Sequence, residues 1–335
     1  MRTDHVAYAC GAVLGFLGDR AVGDPRRGHP VAAFGRAAGA VERRLWRDDR
    51  GRGALHTAVC AGGTVLAGAL LARAARRPAT GRPARPATTL GGLAAETALT
   101  AAATWAVLGG TTLGREARVI GAALAAADVD AARDALPRLC GRDPQALDTQ
   151  QMARAVVESV AENTSDAVVG ALVWGAAGGV PGLLGFRAVN TLDAMVGHRS
   201  PRYRRFGWAS ARLDDVVGWP GARLTAALAV LAGPNPRGAW AVARRDAGSH
   251  PSPNAGPVEA AFAGALGVRL GGTLAYAGRV EHRPVLGAEN RPVEVADIER
   301  AVRLSRRVSA LALAVTVAGR LAYCAATMGT HQGDR

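Results

Sequence analysis

The hydrophobic positions of this chain fall in long runs separated by short arginine-rich segments. Residues 54–72 carry no formal charge and are bounded by Arg52 and Arg73. About 20 apolar residues in a helix cross a hydrocarbon layer about 30 Å thick, so this run predicts a membrane span. Residues 87–113 form a second run, interrupted only by Glu96, and residues 308–328 form a third, with Arg320 facing protein or reaching the interface. Residues 6–18 make a shorter run whose flanks extend it to the interface. Residues 167–185 are apolar too, but Gly178, Gly179 and Pro181 break them. Glycine and proline are the poorest residues for a helix interior, so a buried or re-entrant segment is expected there. As a full span it would put the polar motifs on either side of it on opposite membrane faces. Residues 222–233 are too short to cross and are expected as a core helix. The predicted fold class is all-α: a multi-pass integral membrane helical bundle. It forms one membrane-embedded unit over residues 1–335, with cytoplasmic helical regions carrying the motifs of residues 114–304.

Orientation follows from the arginine bias of the connecting segments. Residues 20–52 hold nine arginines, which places them in the cytoplasm. Parity then puts residues 73–85 outside, against their own five arginines, and the chain from residue 114 back inside. Composition narrows the chemistry further. The 335 residues carry a net charge of 41 − 27 = +14, and all 41 basic residues are arginine. Without lysine there is no Schiff-base enzyme, no pyridoxal phosphate enzyme and no P-loop. With the heavy use of Ala and Gly, the absence of lysine suggests a GC-rich genome. Hydrophobic content of 49% is too high for disorder. Nucleic-acid binding is not expected either: the arginines flank apolar runs, and aromatic residues are not interleaved with them. Cys10, Cys60, Cys140 and Cys324 are far apart, and the seven histidines are scattered, so no Cys/His metal site is expected. A metal would be held by carboxylate oxygens, which is magnesium-type chemistry.

The acids are patterned. In Arg154-Ala-Val-Val-Glu158-Ser-Val-Ala-Glu162-Asn163-Thr-Ser-Asp166, the three carboxylates recur every four residues on one helix face. Like charges at that spacing repel by about 0.2–0.5 kcal/mol per pair in water, and more beside an apolar segment, so a cation or a nearby arginine must compensate them. Read as a site, Glu158, Glu162 and Asp166 are candidate magnesium ligands and, with Asn163, candidate catalytic groups. Read as surface, they are a solvated acidic face. Further on, Phe186-Arg187-Ala-Val-Asn190-Thr191-Leu-Asp193 places Asn190 and Asp193 one turn apart. Then Arg212-Leu-Asp214-Asp215 and Trp219-Pro-Gly-Ala-Arg223 set vicinal acids beside arginines. Such a group can hold hydrated magnesium and an anionic phosphate together, although an isolated Asp pair more often caps a helix. Asp214 and Asp215 join the catalytic candidates, and Asn190, Asp193, Arg187, Arg212 and Arg223 the substrate- and phosphate-binding ones. Asp24 and His29, in a turn rich in Pro and Gly that opens a basic amphipathic helix over residues 31–46, are ligand candidates as well. Asn254 lies in Ser252-Pro-Asn-Ala-Gly256, ahead of an apolar helix over residues 257–270, the turn Gly271-Gly272 and an acidic helix over residues 294–299.

This ordered set of motifs, from about Gly23 to about Leu304, closely resembles the CobD/CbiB family. The resemblance implies a multi-pass inner-membrane protein of cobalamin biosynthesis acting as adenosylcobinamide-phosphate synthase. Such an enzyme joins adenosylcobyric acid to (R)-1-aminopropan-2-ol or its O-phosphate through an amide, using ATP and Mg2+. Membrane lipid and other corrinoid-pathway enzymes are the remaining expected partners. Ala167 and Ala171 stand where Gly and Pro are commoner in the family. The residues agree with this mechanism class, because phosphoryl activation of a carboxylate asks for positioning and charge neutralisation more than for a protein nucleophile. The rival reading is a transporter or scaffold for corrinoid intermediates without chemistry of its own, with the interrupted 178–181 segment as its binding feature.

Overall fold

The computed structural model describes residues 2–25, 28–76, 86–198, 200–276 and 279–330. Arg26, Arg27 and Arg199 lie outside them, as do residues 77–85 of the expected external segment. In chain order the helices are α1 (Arg2–Val22), α2 (Pro30–Leu45), α3 (Arg50–Thr57), α4 (Gly63–Arg76), α5 (Pro86–Val107), α6 (Gly110–Ala125), α7 (Val129–Ala135) and α8 (Thr149–Thr164). They continue with α9 (Gly170–Leu192), α10 (Trp208–Ala232), α11 (Pro236–Asp246), α12 (Ala255–Leu266) and α13 (Ala296–Thr330). Between α12 and α13 an antiparallel hairpin pairs β1 (Leu270–Tyr276) with β2 (Arg279–Leu286). The fold is mostly helical, as the hydrophobic pattern predicts.

Three helices among the described residues are long and apolar enough to cross a membrane: Arg50–Arg76, Thr149–Gly197 and Ala296–Thr327. The first includes the 54–72 run, passing from α3 to α4 through a π-turn at Ala58–Gly62. The third includes most of 308–328. The 87–113 run is not one helix. It stops at Val107, and α6 restarts at Gly110 after its N-cap Gly109, whose amide donates to the Ala167 carbonyl at 3.2 Å. The apolar helix expected to reach residue 270 ends earlier, at Leu266, because Gly267 turns out of it and Leu270 opens β1. Gly271-Gly272, expected as a turn, instead lies within β1 opposite a bulge in β2: Gly271 pairs with Val285 and Gly272 with Arg283, and Pro284 is the extra residue.

The chain divides into two compact units. The first comprises residues 1–108, 170–218 and 313–335; the second comprises 109–169 and 219–312. In the first, α1 packs along α5, and α4 and α5 flank α9. In the second, α6 packs on α7 and α8, and α12 packs on α8, α11 and the β-hairpin. Caps set the helix starts. His29 caps α2 ahead of Pro30, its Nδ1 accepting the Val31 amide at 3.1 Å. A capping box between Asp148 and Gln151 opens α8.

Within the first unit α9 doubles back on itself. Gly179 has φ of 64°, a left-handed conformation that costs glycine little and other residues more. The stretch after it, carrying Pro181, folds against the stretch before it: Gly182 lies against the Trp174 carbonyl, and Gly170 against the Phe186 ring. Arg320 of α13 donates to the Ala176 carbonyl at 2.6 Å and to that of Gly175 at 3.4 Å, satisfying groups that the helix loses at the reversal. Trp174 donates its indole N–H to the Val217 carbonyl at 2.7 Å. That carbonyl lies in α10 next to Val216, whose carbonyl Pro220 cannot serve.

A β-carbon on Gly182 would strike the Trp174 backbone, which cannot rotate away, whereas one on Gly178 would meet no atom within 4 Å. Gly182→Ala should therefore destabilise the protein by about 1–3 kcal/mol or more, as overpacking does. Gly178→Ala should be neutral or stabilising by up to about 1 kcal/mol. Thermal unfolding in detergent compares the two, and equal midpoints would contradict the close reversal.

Candidate functional site

The candidate residues fall into two sets, one in each unit. In the second unit Glu158, on α8, is buried, with its side chain 4% exposed. One oxygen is paired with Arg142 Nη2, whose side chain is equally buried. The other accepts the Gly271 amide at 2.7 Å and lies 3.9 Å from Arg154 Nε. Arg154 in turn donates to the Thr273 carbonyl at 2.6 Å. Two arginines and a strand amide thus compensate the first acid of the ladder. Glu162 is exposed and Asp166 is half-buried. Asp166 stands in a π-turn, Ser165–Val169, that widens the helix after Thr164. Asn163 donates back to the Ser159 carbonyl at 2.9 Å, and Ser159 donates to the Leu139 carbonyl at 2.8 Å.

The set contains residues that the sequence pattern did not single out. Glu259, the lone charge in the apolar helix α12, is 3% exposed and faces His250 Nε2 at 3.7 Å. His250 Nδ1 accepts the Ser252 amide at 3.0 Å, so the neutral ring carries its proton on Nε2, toward Glu259. Burial, followed by the like charges of Glu158 and Glu162, holds the Glu259 carboxyl well above the usual carboxylate range. Arg142, in a loop, is the other residue missed. On the same unit, Arg223 donates to the Pro253 carbonyl at 2.7 Å and reaches Asn254 Oδ1 at 3.4 Å, while its guanidinium covers the Trp219 ring.

The first unit holds the second set. Asp193, half-buried, opens a π-turn, Asp193–Gly197. Arg212 lies 3.6 Å from Asp215, and Asp214 is half-buried beside them. Arg187 donates to Asn190 Oδ1 at 3.3 Å and lines an apolar cavity of about 80 Å³ with Phe34, Val107 and Leu184. His29 Nε2 is 3.2 Å from Asp24, so this pair also ties down the start of α2. Among the described residues, no group of three or more His, Cys, Asp and Glu side chains is arranged to hold a metal ion.

A mostly helical chain with three helices long and apolar enough to cross a membrane and a buried arginine–carboxylate pair has the features of an integral membrane protein. The CobD/Cbib protein family matches residues 12–305. The chain belongs to that family. The cobalamin biosynthesis protein CobD of Mycobacterium tuberculosis is 52% identical over 313 residues, covering 92% of this chain and 95% of that protein. The protein of the same name from Chromobacterium violaceum is 40% identical over 318 residues, with coverage of 92% and 95%. That of Rhizobium meliloti is 39% identical over 308 residues, covering 87% of this chain and 90% of the relative. No solved structure matches the chain.

Glu259 generates a prediction with a definite sign. A carboxyl whose value is raised on folding stabilises the fold most below its unfolded value, near 4.5, and that contribution fades as pH rises through the raised value. Stability of the wild type should therefore fall from mildly acidic to alkaline pH more steeply than that of Glu259→Gln. Parallel pH profiles of the two proteins would contradict a neutral, buried Glu259.

Proposed function

We propose that this protein of cobalamin biosynthesis is an ATP-dependent amide synthase. It attaches (R)-1-aminopropan-2-ol, or its O-phosphate, to adenosylcobyric acid at the cytoplasmic side of the inner membrane. The observation that carries this reading is the family match over residues 12–305, which takes in every candidate acid and arginine described above. In the reaction, a carboxylate oxygen of the corrinoid attacks the γ-phosphorus of ATP, and ADP leaves. The amine then attacks the acyl carbon, phosphate leaves, and the proton of the new ammonium passes to a carboxylate such as Glu162 or Asp215.

Magnesium takes few protein ligands and keeps several waters, so two carboxylates and the nucleotide phosphates are enough for it. Glu162 and Asp166, exposed and half-buried on successive turns, fit that need, and Glu158 anchors their helix. Asp193 and Asp215, both half-buried in the first unit, are the second candidate pair. When bound, the ion offsets charge that develops during phosphoryl transfer. Arg187 and Arg212 in the first unit and Arg223 in the second are the candidate groups for phosphate oxygens. Corrinoid transport without chemistry is the second reading, favoured only by the doubled-back α9.

Purified protein in detergent, given ATP, magnesium, adenosylcobyric acid and the amine, should form the amide. Glu162→Gln keeps side-chain size and helix propensity, so it should fold like the wild type while its turnover drops about a hundred-fold or more. Corrinoid uptake into vesicles without any product would support transport instead. If Glu162→Gln and Asp166→Asn both keep activity within a few-fold, the chemistry belongs to Asp193, Asp214 and Asp215.

A further inference from the structure

The first unit contains a cavity of about 520 Å³ lined by His5, Val173, Ala176, Thr316, Arg320 and Tyr323, among others. It lies beside the reversal of α9. Its cation is Arg320, which spends one nitrogen on the Ala176 and Gly175 carbonyls and covers the Tyr8 ring at 4.3 Å. Arg320 Nε and His5 Nδ1 are buried and, among the described residues, have no hydrogen-bond partner. No carboxylate among those residues lies within ion-pair distance of Arg320. Nearby Arg76, in contrast, is matched by Glu96 at 2.7 Å and Asp4 at 4.0 Å. An arginine with an uncommitted N–H at the wall of a cavity is suited to an anion.

The surroundings identify the kind of anion. Tyr323 of the cavity wall is 68% exposed, and Val6, Val315 and Leu321, each next in sequence to a lining residue, are exposed at 44%, 47% and 39%. Only 28% of the apolar window of the Ala296–Thr327 helix is buried, so its outer face needs hydrocarbon around it. The ion group of Asp4 in α1, Arg76 in α4 and Glu96 in α5 marks a polar boundary close to this level. A basic pocket at such a boundary, with apolar walls leading away from it, matches a phosphate head group and its acyl chains.

We propose that this cavity is a binding site for an anionic phospholipid. The head-group phosphate meets Arg320 and His5, and the acyl chains lie along the exposed faces of α1 and α13. Lipid in this site would also brace the α9 reversal, since the same guanidinium holds the Ala176 carbonyl.

The test is thermal unfolding and native mass spectrometry of the full chain in detergent, titrated separately with phosphatidylglycerol, phosphatidylcholine and inorganic phosphate. Phosphatidylglycerol should raise the midpoint and stay bound, while the other two should do neither. Arg320→Gln should weaken phosphatidylglycerol binding about ten-fold or more, as loss of a charge-assisted hydrogen bond does. Because Arg320 also supports α9, Gly319→Leu is the second variant. A β-carbon there meets no atom within 4 Å, so a leucine can occupy the cavity while Arg320 stays in place. Gly319→Leu should fold and lose the phosphatidylglycerol effect. Equal shifts with both lipids, a shift with inorganic phosphate alone, or an unchanged effect in Gly319→Leu would each overturn the proposal.

Discussion

The pairing of Glu158 with Arg142 is the interaction on which the second unit depends. Both side chains are almost wholly withdrawn from solvent. Neither charge is tolerable there without the other, because desolvating one ion costs several kcal/mol. The pair joins α8 to the loop that precedes it, and the second oxygen of Glu158 joins α8 to β1 through the Gly271 amide. Arg154 reinforces this link by reaching from α8 to the Thr273 carbonyl. A helix pinned in this way presents Glu162 and Asp166 at fixed positions. Glu158 thus ties α8 to its neighbours, and the proposed function assigns chemistry to Glu162 and Asp166 instead.

The same rule operates in the first unit with a different donor set. Where α9 reverses at Gly179, backbone carbonyls lose their helical partners in an apolar setting, and Arg320 supplies donors to two of them. In both units an arginine does what water would do in a soluble protein. The abundance of arginine and absence of lysine, which at first look only like a mark of genome composition, therefore have a structural use. A planar guanidinium serves several acceptors at once, and an ammonium does so less well.

Much of the helical architecture is legible in the sequence because apolar runs of membrane length carry a strong signal. Residues 54–72 and most of 308–328 fall within helices long and apolar enough to cross a membrane. The break in α9 is legible as well, since Gly178, Gly179 and Pro181 all oppose a straight helix. The break between α5 and α6 was harder to see, as Gly109-Gly110 interrupts a run whose apolar character continues on both sides. The β-hairpin was missed because Gly271-Gly272 near the start of β1 reads as a turn and Pro284 within β2 argues against a strand. In the candidate site, the ladder of Glu158, Glu162 and Asp166 follows from helical spacing alone. The partners of Glu158 do not: Arg142 comes from a loop without periodicity, and Gly271 contributes only its backbone. Glu259 had a signal, a single charge within the apolar stretch of α12, but burial reveals its meaning only once α12 is packed against α8.

A double-mutant cycle between positions 142 and 158, read by equilibrium unfolding in detergent, tests this account most directly. Removing one member of a buried ion pair costs about 3–5 kcal/mol because the other is left unpaired, while replacing both with apolar residues of similar volume costs far less. Arg142→Met and Glu158→Met should each destabilise the protein strongly, and the double variant should recover most of that loss. Additive effects would show that Glu158 and Arg142 do not depend on each other, and the structural role given to Glu158 would fail.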